Sequence, residues 1–414
     1  MNEQYHGFAS QCLNQIVLRP SSRLPVWEPI TITEFKAFLA IILNMGFVKK
    51  PTIAEYWNNT QKSQVTSWFH KVMSRNRFQL IFKFLQLVDN KKLPSREIPL
   101  YRPDSKFKPL IDFVNRMFKN FYVPRKEICI DESLVASRER TSMLQYIPTK
   151  HAKFGLKFWI LAECTTGYIL HLSCYLGKQF QPVENVNQGE KVVFELLKEC
   201  DLLNKGYHPV CDNVFCSLQI ARTLRSNRMM PKSIKEAKLN PGETIYLRQG
   251  KTLICAHKNH PNGKKPVRIL STALAVKDIQ GVPNIVKTYN KNMGGVDTAD
   301  MLLSYYGQSR KTIKVWKKVA IHIFHRIMLN AYILYSQNTS DVPVMSRLRF
   351  CQMIFESLAN EHFQNHANRR INMARNRVNM RNVVLECLPG RHEKECVVCS
   401  DRKNGNRRRA RTQC

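Results

Sequence analysis

Three acids stand where strands or helices end. Asp131 follows the apolar run Ile128, Cys129, Ile130; Asp212 follows Pro209, Val210, Cys211; and Asp297, with Asp300 one turn later, opens a helical stretch after Asn292, Met293, Gly294, Gly295, Val296. Carboxylates gathered at one point repel unless a hard divalent cation stands between them, and an all-oxygen donor set favours magnesium or manganese over zinc. Asp131, Asp212 and Asp297 are therefore candidate magnesium (or manganese) ligands, and Asp300 a fourth candidate catalytic acid. The chemistry such ions support is activation of water and stabilisation of the leaving oxygen in phosphodiester transfer. Taken singly, each acid serves equally well as a helix cap or as an ion-pair partner for one of 65 lysines and arginines. The catalytic reading rests on their placement together.

Such a constellation needs a sheet that sets two strand ends side by side. After Pro124 three short apolar or alternating runs, KEICIDES, FGLKFWILAEC and GYILHLSCYLG, predict successive antiparallel strands, with Thr165, Thr166 and Gly167 turning between the last two. A helix over 192–203, a strand over 208–211 and a helix from Ser217 to about Arg225 follow. Residues 229–266 mix turn signals, lysines and one hairpin pattern and read as an insertion, after which 267–274 returns to strand. The β-β-β-α-β-α order is that of a ribonuclease-H-like fold, a mixed sheet with helices whose first and fourth strands lie together at the centre. That adjacency brings Asp131 to Asp212.

The flanks are helical. Thr33 is the expected cap of a run through Phe35, Phe38, Leu39, Ile42 and Leu43, with Gly46 as its stop; a second helix starts after Ser74, and a third covers 105–121. Helical sequence resumes after Gly295 and continues into 315–336, where Val315, Val319, Ile323, Ile327 and Ala331 form an apolar stripe. From 361 the chain is polar and basic, and a flexible tail is expected. The fold class is thus α+β: residues 1–124 form a first helical part, 125–304 the catalytic domain with its insertion, 305–360 a second helical part, and 361–414 a basic tail with a truncated cysteine-rich segment.

Lysine and arginine outnumber aspartate and glutamate by 65 to 31, a formal +34 that implies a polyanionic partner, nucleic acid first among them. Charge alone also fits a ribosomal or membrane-surface protein. Lys150, Lys153 and Lys157, beside Tyr146 and the acids, are candidate DNA contacts, whereas Trp159, inside an apolar strand, is assigned to the core. Arg310, Lys311 and Lys314 precede the long helix, where cations at the positive end of the helix dipole call for an external anion such as phosphate. No secretory signal and no run of about 18 apolar residues is present, so the chain carries no sign of secretion or membrane spanning. Thirteen cysteines, an odd number scattered through apolar stretches, suit reduced thiols in cytosol or nucleus.

The segments ICIDES, YIPTKHAKFGLK, CDNVF and YNKNMGGVDTADML occur in an order that resembles the piggyBac transposases, over about residues 30–340. GGVDTAD is the most specific of them. The resemblance implies that Asp131, Asp212 and Asp297 match the family's catalytic triad and Asp300 a further acid near it. It also implies that the two helical parts pack together as a dimerisation and DNA-binding domain interrupted by the catalytic domain. The implied partners are double-stranded DNA at transposon ends and TTAA targets, and a second copy of the chain, in the nucleus. The implied reaction is metal-dependent hydrolysis at a transposon end, hairpin formation by the freed 3′-hydroxyl, and joining into TTAA.

Three departures stand beside this. The long, often acidic leader of the family is expected to be missing or encoded elsewhere. VASRER keeps Arg138 and Arg140 but lacks the glycine usual after IDES. The family's zinc-binding cysteine-rich domain is represented only by His392, Cys396, Cys399 and Cys414, which could hold one zinc as a Cys₃His set, although a CxxC at a chain end is more often unligated. Intact acids favour an active transposase; altered ends favour a domesticated derivative that binds DNA without cutting it. A host ribonuclease-H-like nuclease is a third reading, resting on the fold alone.

Overall fold

The computed structural model describes residues 27–365 except 96, 149, 151–152, 178–187, 213–214, 216–231, 236, 260–264, 308–313 and 340–342, then the helical backbone to Arg381 and two short strand pairs beyond it. The first helix, α1 (Ile32–Phe47), is capped by Thr31, whose hydroxyl accepts from the Glu34 N–H at 3.1 Å. The expected cap was Thr33; Thr31 takes the role because it lies three residues before Glu34, the spacing of a capping box. Gly46 does not stop this helix. It is buried within it, where a Cβ would collide with the Tyr306 carbonyl. Two further helices follow, α2 (Ser67–Val72) and α3 (Arg75–Phe84), the latter capped by Ser74 as its sequence predicts. Arg77 of α3 grips Glu34 of α1 with two bonds of 2.6 and 2.7 Å. The amphipathic α4 (Lys108–Phe121) turns Ile111, Val114 and Phe118 inward.

The central strand, β1 (Glu127–Ala136), is buried without interruption from Ile128 to Asp131, which explains why its sequence is a continuous apolar run. It pairs antiparallel with β3 (Phe154–Glu163), and β3 in turn pairs with β4 (Ile169–Cys174) and with β2 (Leu144–Tyr146), three residues that the apolar pattern does not reveal. Helix α5 (Gln188–Glu199) leads to β5 (His208–Cys211), which lies parallel to β1. The expected adjacency of first and fourth strands is therefore present. The helix expected from Ser217 falls outside the described residues.

Inside the expected insertion, β6 (Thr244–Gln249) and β7 (Thr252–His257) form the hairpin, with Gly250 at φ 58° in its turn. The strand expected at 267–274 forms as β8 (Val267–Ser271), but it closes this second sheet against β7 instead of joining the first. Its alternate residues serve the two small cores: Leu270 packs with Ile234 and Leu239, and Ile269 with Ile285 and Val286. Helices α6 (Asn284–Asn292) and α7 (Gly295–Tyr306) return the chain to β1, and α8 (Val315–Asn338) follows.

The tail is corrected by the structure: α9 runs from Arg347 to Arg381, through the boundary set at 360. Cys351, Phe355, Ala359 and His362 are buried at spacings of four, four and three, so the stripe that docks α9 along α1 does not end there. Lys36 of α1 meets Glu361 at 3.4 Å. Beyond it, no proline or glycine interrupts the helix before Arg381. Helices from both ends of the chain and the five-stranded sheet share one continuous core, while β6 to β8 build two small cores of their own.

Candidate active site

Asp131 is fixed by β1, is 7% exposed, and accepts the Glu132 N–H at 2.8 Å. The parallel register ends at Ile130 opposite Cys211, which makes Asp131 and Asp212 the next residues on neighbouring strands. Asp212 is half-buried. Asp297 sits in the first turn of α7, which packs on β1 and β3. The close approach is possible because Gly295 has no side chain: a Cβ there would lie 3.1 Å from the Glu163 carbonyl oxygen and 3.2 Å from both Cys129 Cβ and Cys164 Cα.

The ammonium of Lys150 stands between two of the acids, 3.3 Å from Asp297 Oδ1 and 3.6 Å from Asp131 Oδ2. Burial, helped by Glu132, pushes the Asp131 carboxyl up to about 7, and Lys150 only partly offsets this. Burial works against the charge of Lys150, but Asp131 and Asp297 outweigh it and hold that amine above its ordinary value. Asp297 itself is open, its side chain 67% exposed. Two carboxylates thus already share one cation at an edge open to solvent.

One turn deeper lies a second polar layer. Ser133, two residues along β1 from Asp131 and so on the same face, donates to Asp300 Oδ1 at 2.7 Å. Arg326 of α8 donates from Nη2 to Ser133 Oγ at 2.7 Å and stands 3.7 Å from Asp300 Oδ1. Burial raises the Asp300 carboxyl, with Arg326 and Ser133 acting in the opposite direction. Neither Ser133 nor Arg326 was singled out from sequence. The available signal was a charge at position 326 between Ile323 and Leu329, in the middle of a long, largely apolar helix.

The structure therefore brings Asp131, Asp297 and Lys150 together, places Asp212 at the neighbouring strand end, and sets Asp300 back from them. Among the described residues no three His, Cys, Asp or Glu side chains converge closely enough to hold a metal ion. Lys153 is exposed nearby. Lys157 is not near the acids: its register partner is Leu134, which puts it on the opposite face of the sheet, with its ammonium 3.8 Å from the Trp159 ring centre and 4.9 Å from that of Tyr175. Trp159 is buried core, as expected. Lys314 is exposed at the start of α8. Its neighbours Lys317 and Lys318 find internal partners instead of an external anion: Lys317 caps the last carbonyls of α3, at Phe82 and Lys83, and Lys318 reaches the Ala136 carbonyl at 3.1 Å. Arg310 and Lys311 lie outside the described residues, as do His392, Cys396, Cys399 and Cys414.

Residues 5–332 match the family model described as transposase IS4. The human PiggyBac transposable element-derived protein 3 is 29% identical over 336 residues, 74% of this chain and 55% of that protein. The human PiggyBac transposable element-derived protein 2 is 23% identical over 381 residues, 83% of this chain and 62% of that protein. The chain spans less than two thirds of either relative. A piggyBac transposase solved by cryo-electron microscopy in a synaptic complex with hairpin DNA superposes with a TM-score of 0.79 at 24% identity, over 95% of this chain and 83% of that one, which shows the shared ribonuclease-H-like architecture. The chain belongs to the transposase IS4 family and, within it, to the piggyBac type.

Proposed function

We propose that this protein is a DDE/D-type DNA transposase that opens and rejoins phosphodiester bonds at transposon ends, with Asp131, Asp212 and Asp297 holding magnesium or manganese. The observation that carries this is the sharing of one ammonium by Asp131 and Asp297, from a strand and a helix far apart in sequence, beside the strand end that bears Asp212. The donor types suit a hard divalent cation: all are carboxylate oxygens, and the ammonium that Asp131 and Asp297 share marks where positive charge is favoured. A bound ion of this kind activates water and stabilises the leaving oxygen. The chain's own residues do the remaining work. Asp131 sits on a strand paired on both sides, Asp297 on a helix pressed against it, and Lys150 stands where its ammonium could meet a phosphate oxygen.

Lys153, Arg310, Lys311 and Lys314 are proposed as further phosphate contacts, and the formal +34 supports double-stranded DNA as the partner. Action at TTAA sites, homodimerisation and a nuclear location are proposed from the family resemblance. The test is cleavage of a labelled duplex carrying a TTAA-flanked transposon end with magnesium or manganese. Metal-dependent nicking by the wild-type protein, lost in Asp131→Ala and in Asp297→Ala, is expected. Salt-sensitive binding without cleavage in all three would replace this reading with a domesticated DNA-binding protein that has no catalysis.

A further inference from the structure

Arg326 lies in the middle of α8 and is 0% exposed. Among the described residues its Nε and Nη1 have no hydrogen-bond partner; Asp300, at 3.7 Å, is its ion-pair partner, and the Phe158 ring centre lies 5.7 Å from the guanidinium carbon. A buried charge held this sparsely stabilises a fold less than an apolar side chain of similar volume. Packing alone therefore does not account for an arginine here. What the guanidinium does is join three elements: α8, β1 through Ser133, and α7 through Asp300.

The spacing of the acids gives this junction a consequence. Asp131 and Ser133 alternate on one face of β1, and Asp297 and Asp300 are stacked a turn apart on α7. The two elements face each other across two rungs: an outer one of Asp131, Lys150 and Asp297, and an inner one of Ser133, Asp300 and Arg326. The outer rung is open to solvent at Asp297, whereas the inner rung is directional, with Ser133 and Arg326 buried and Asp300 half-buried. We propose that Arg326 is a positioning residue: through Ser133 and Asp300 it fixes α7 on β1 so that Asp297 stands opposite Asp131, and Asp300 serves in this clamp and not as a metal ligand. The inference rests on the reading of Asp131 and Asp297 as cation ligands.

The test uses the full chain and two readouts: Mn²⁺ binding by calorimetry, and hydrogen exchange of peptides covering Gly295–Tyr306. Arg326→Met and Asp300→Ala are each expected to weaken Mn²⁺ binding about tenfold, the usual effect of removing an outer-shell partner. The double variant is expected to be no worse than either single one, because both break the same clamp. Exchange in α7 speeds up in all three. Asp300→Asn keeps an acceptor for Ser133 and is expected to bind Mn²⁺ close to the wild-type level. Ile333→Ala, a buried change two turns further along the same helix, should lower the melting temperature and leave both readouts unchanged. Wild-type Mn²⁺ affinity and α7 exchange in Arg326→Met would overturn the proposal, and so would Asp300→Asn binding as poorly as Asp131→Asn, which would make Asp300 a ligand. If the wild-type protein binds no Mn²⁺, the cation reading of the acids falls by itself; the exchange data still judge the clamp, which fails if α7 is no more mobile in the variants.

Discussion

Lys150 and the two acids it touches respond differently to the loss of one charge. Replacing Lys150 with Met leaves Asp131 and Asp297 facing each other without a cation, and stability should fall by about 1 kcal/mol, kept small because Asp297 faces solvent. The same variant should gain more in melting temperature from added Mn²⁺ than the wild type does, since the ion would then relieve a repulsion; thermal shift with and without the metal reads this. Gly295→Ala acts at the same place through shape. The added methyl meets Glu163, Cys129 and Cys164, forcing α7 off β1, with an expected loss of about 1–3 kcal/mol in denaturant unfolding. Asp212 and Asp297 were legible in the sequence because each closes or opens an element at an apolar boundary; Asp131 was legible as the first charge after an apolar run, although it does not end its strand, which continues to Ala136. Lys150 was legible as a neighbour of the acids but not as their shared counter-ion. Ser133 and Arg326 were not legible, because their contact joins residues 193 positions apart and is decided by how α8 crosses the sheet.

Among the elements, the seam between α4 and β4 carries a pH dependence. Burial holds His171 down to about 4, and Asn115 Nδ2 donates to its Nε2 at 3.1 Å, an arrangement that needs the neutral ring. In the unfolded chain the imidazole returns to its ordinary 6.5, so between these values the unfolded state binds a proton that the folded state does not. The contribution of His171 to stability should therefore fall as pH drops from about 6.5 toward about 4, with His322, held down to about 3 by burial, acting in the same direction and Asp131, pushed up to about 7, in the opposite one. Melting curves at stepped pH check this, and His171→Gln should flatten the dependence. The elements themselves were mostly readable: the strands around Asp131 and Asp212, the helix opening at Gly295 and the long apolar helix all form where periodicity puts them. The misses have local causes. Three-residue β2 is too short to show a period, β8 carries strand composition without any statement of which sheet it joins, and α9 just beyond 360 lacks a continuous apolar run although His362 still docks.

At the scale of the molecule, net charge and the shared core make separate predictions. With a formal +34, binding to unrelated duplex DNA should weaken by roughly 10³ between about 50 and about 200 mM salt, measurable by fluorescence anisotropy. Phe355→Ala, on the buried side of α9 and against Phe47 of α1, should cost about 3–5 kcal/mol and unfold the helical layer with the sheet, because one core runs through both. That core also sets a schedule for synthesis. The partner of Lys36 lies 325 residues further along the chain, so α1 leaves the ribosome long before the helix that covers it exists. At roughly 5–20 residues per second, the part of α1 that α9 covers stays bare on the nascent chain for on the order of 16–65 s, even after α3 has packed on its other side. During that interval it is a substrate for any holding chaperone that reaches it, and translation of α9 ends the wait.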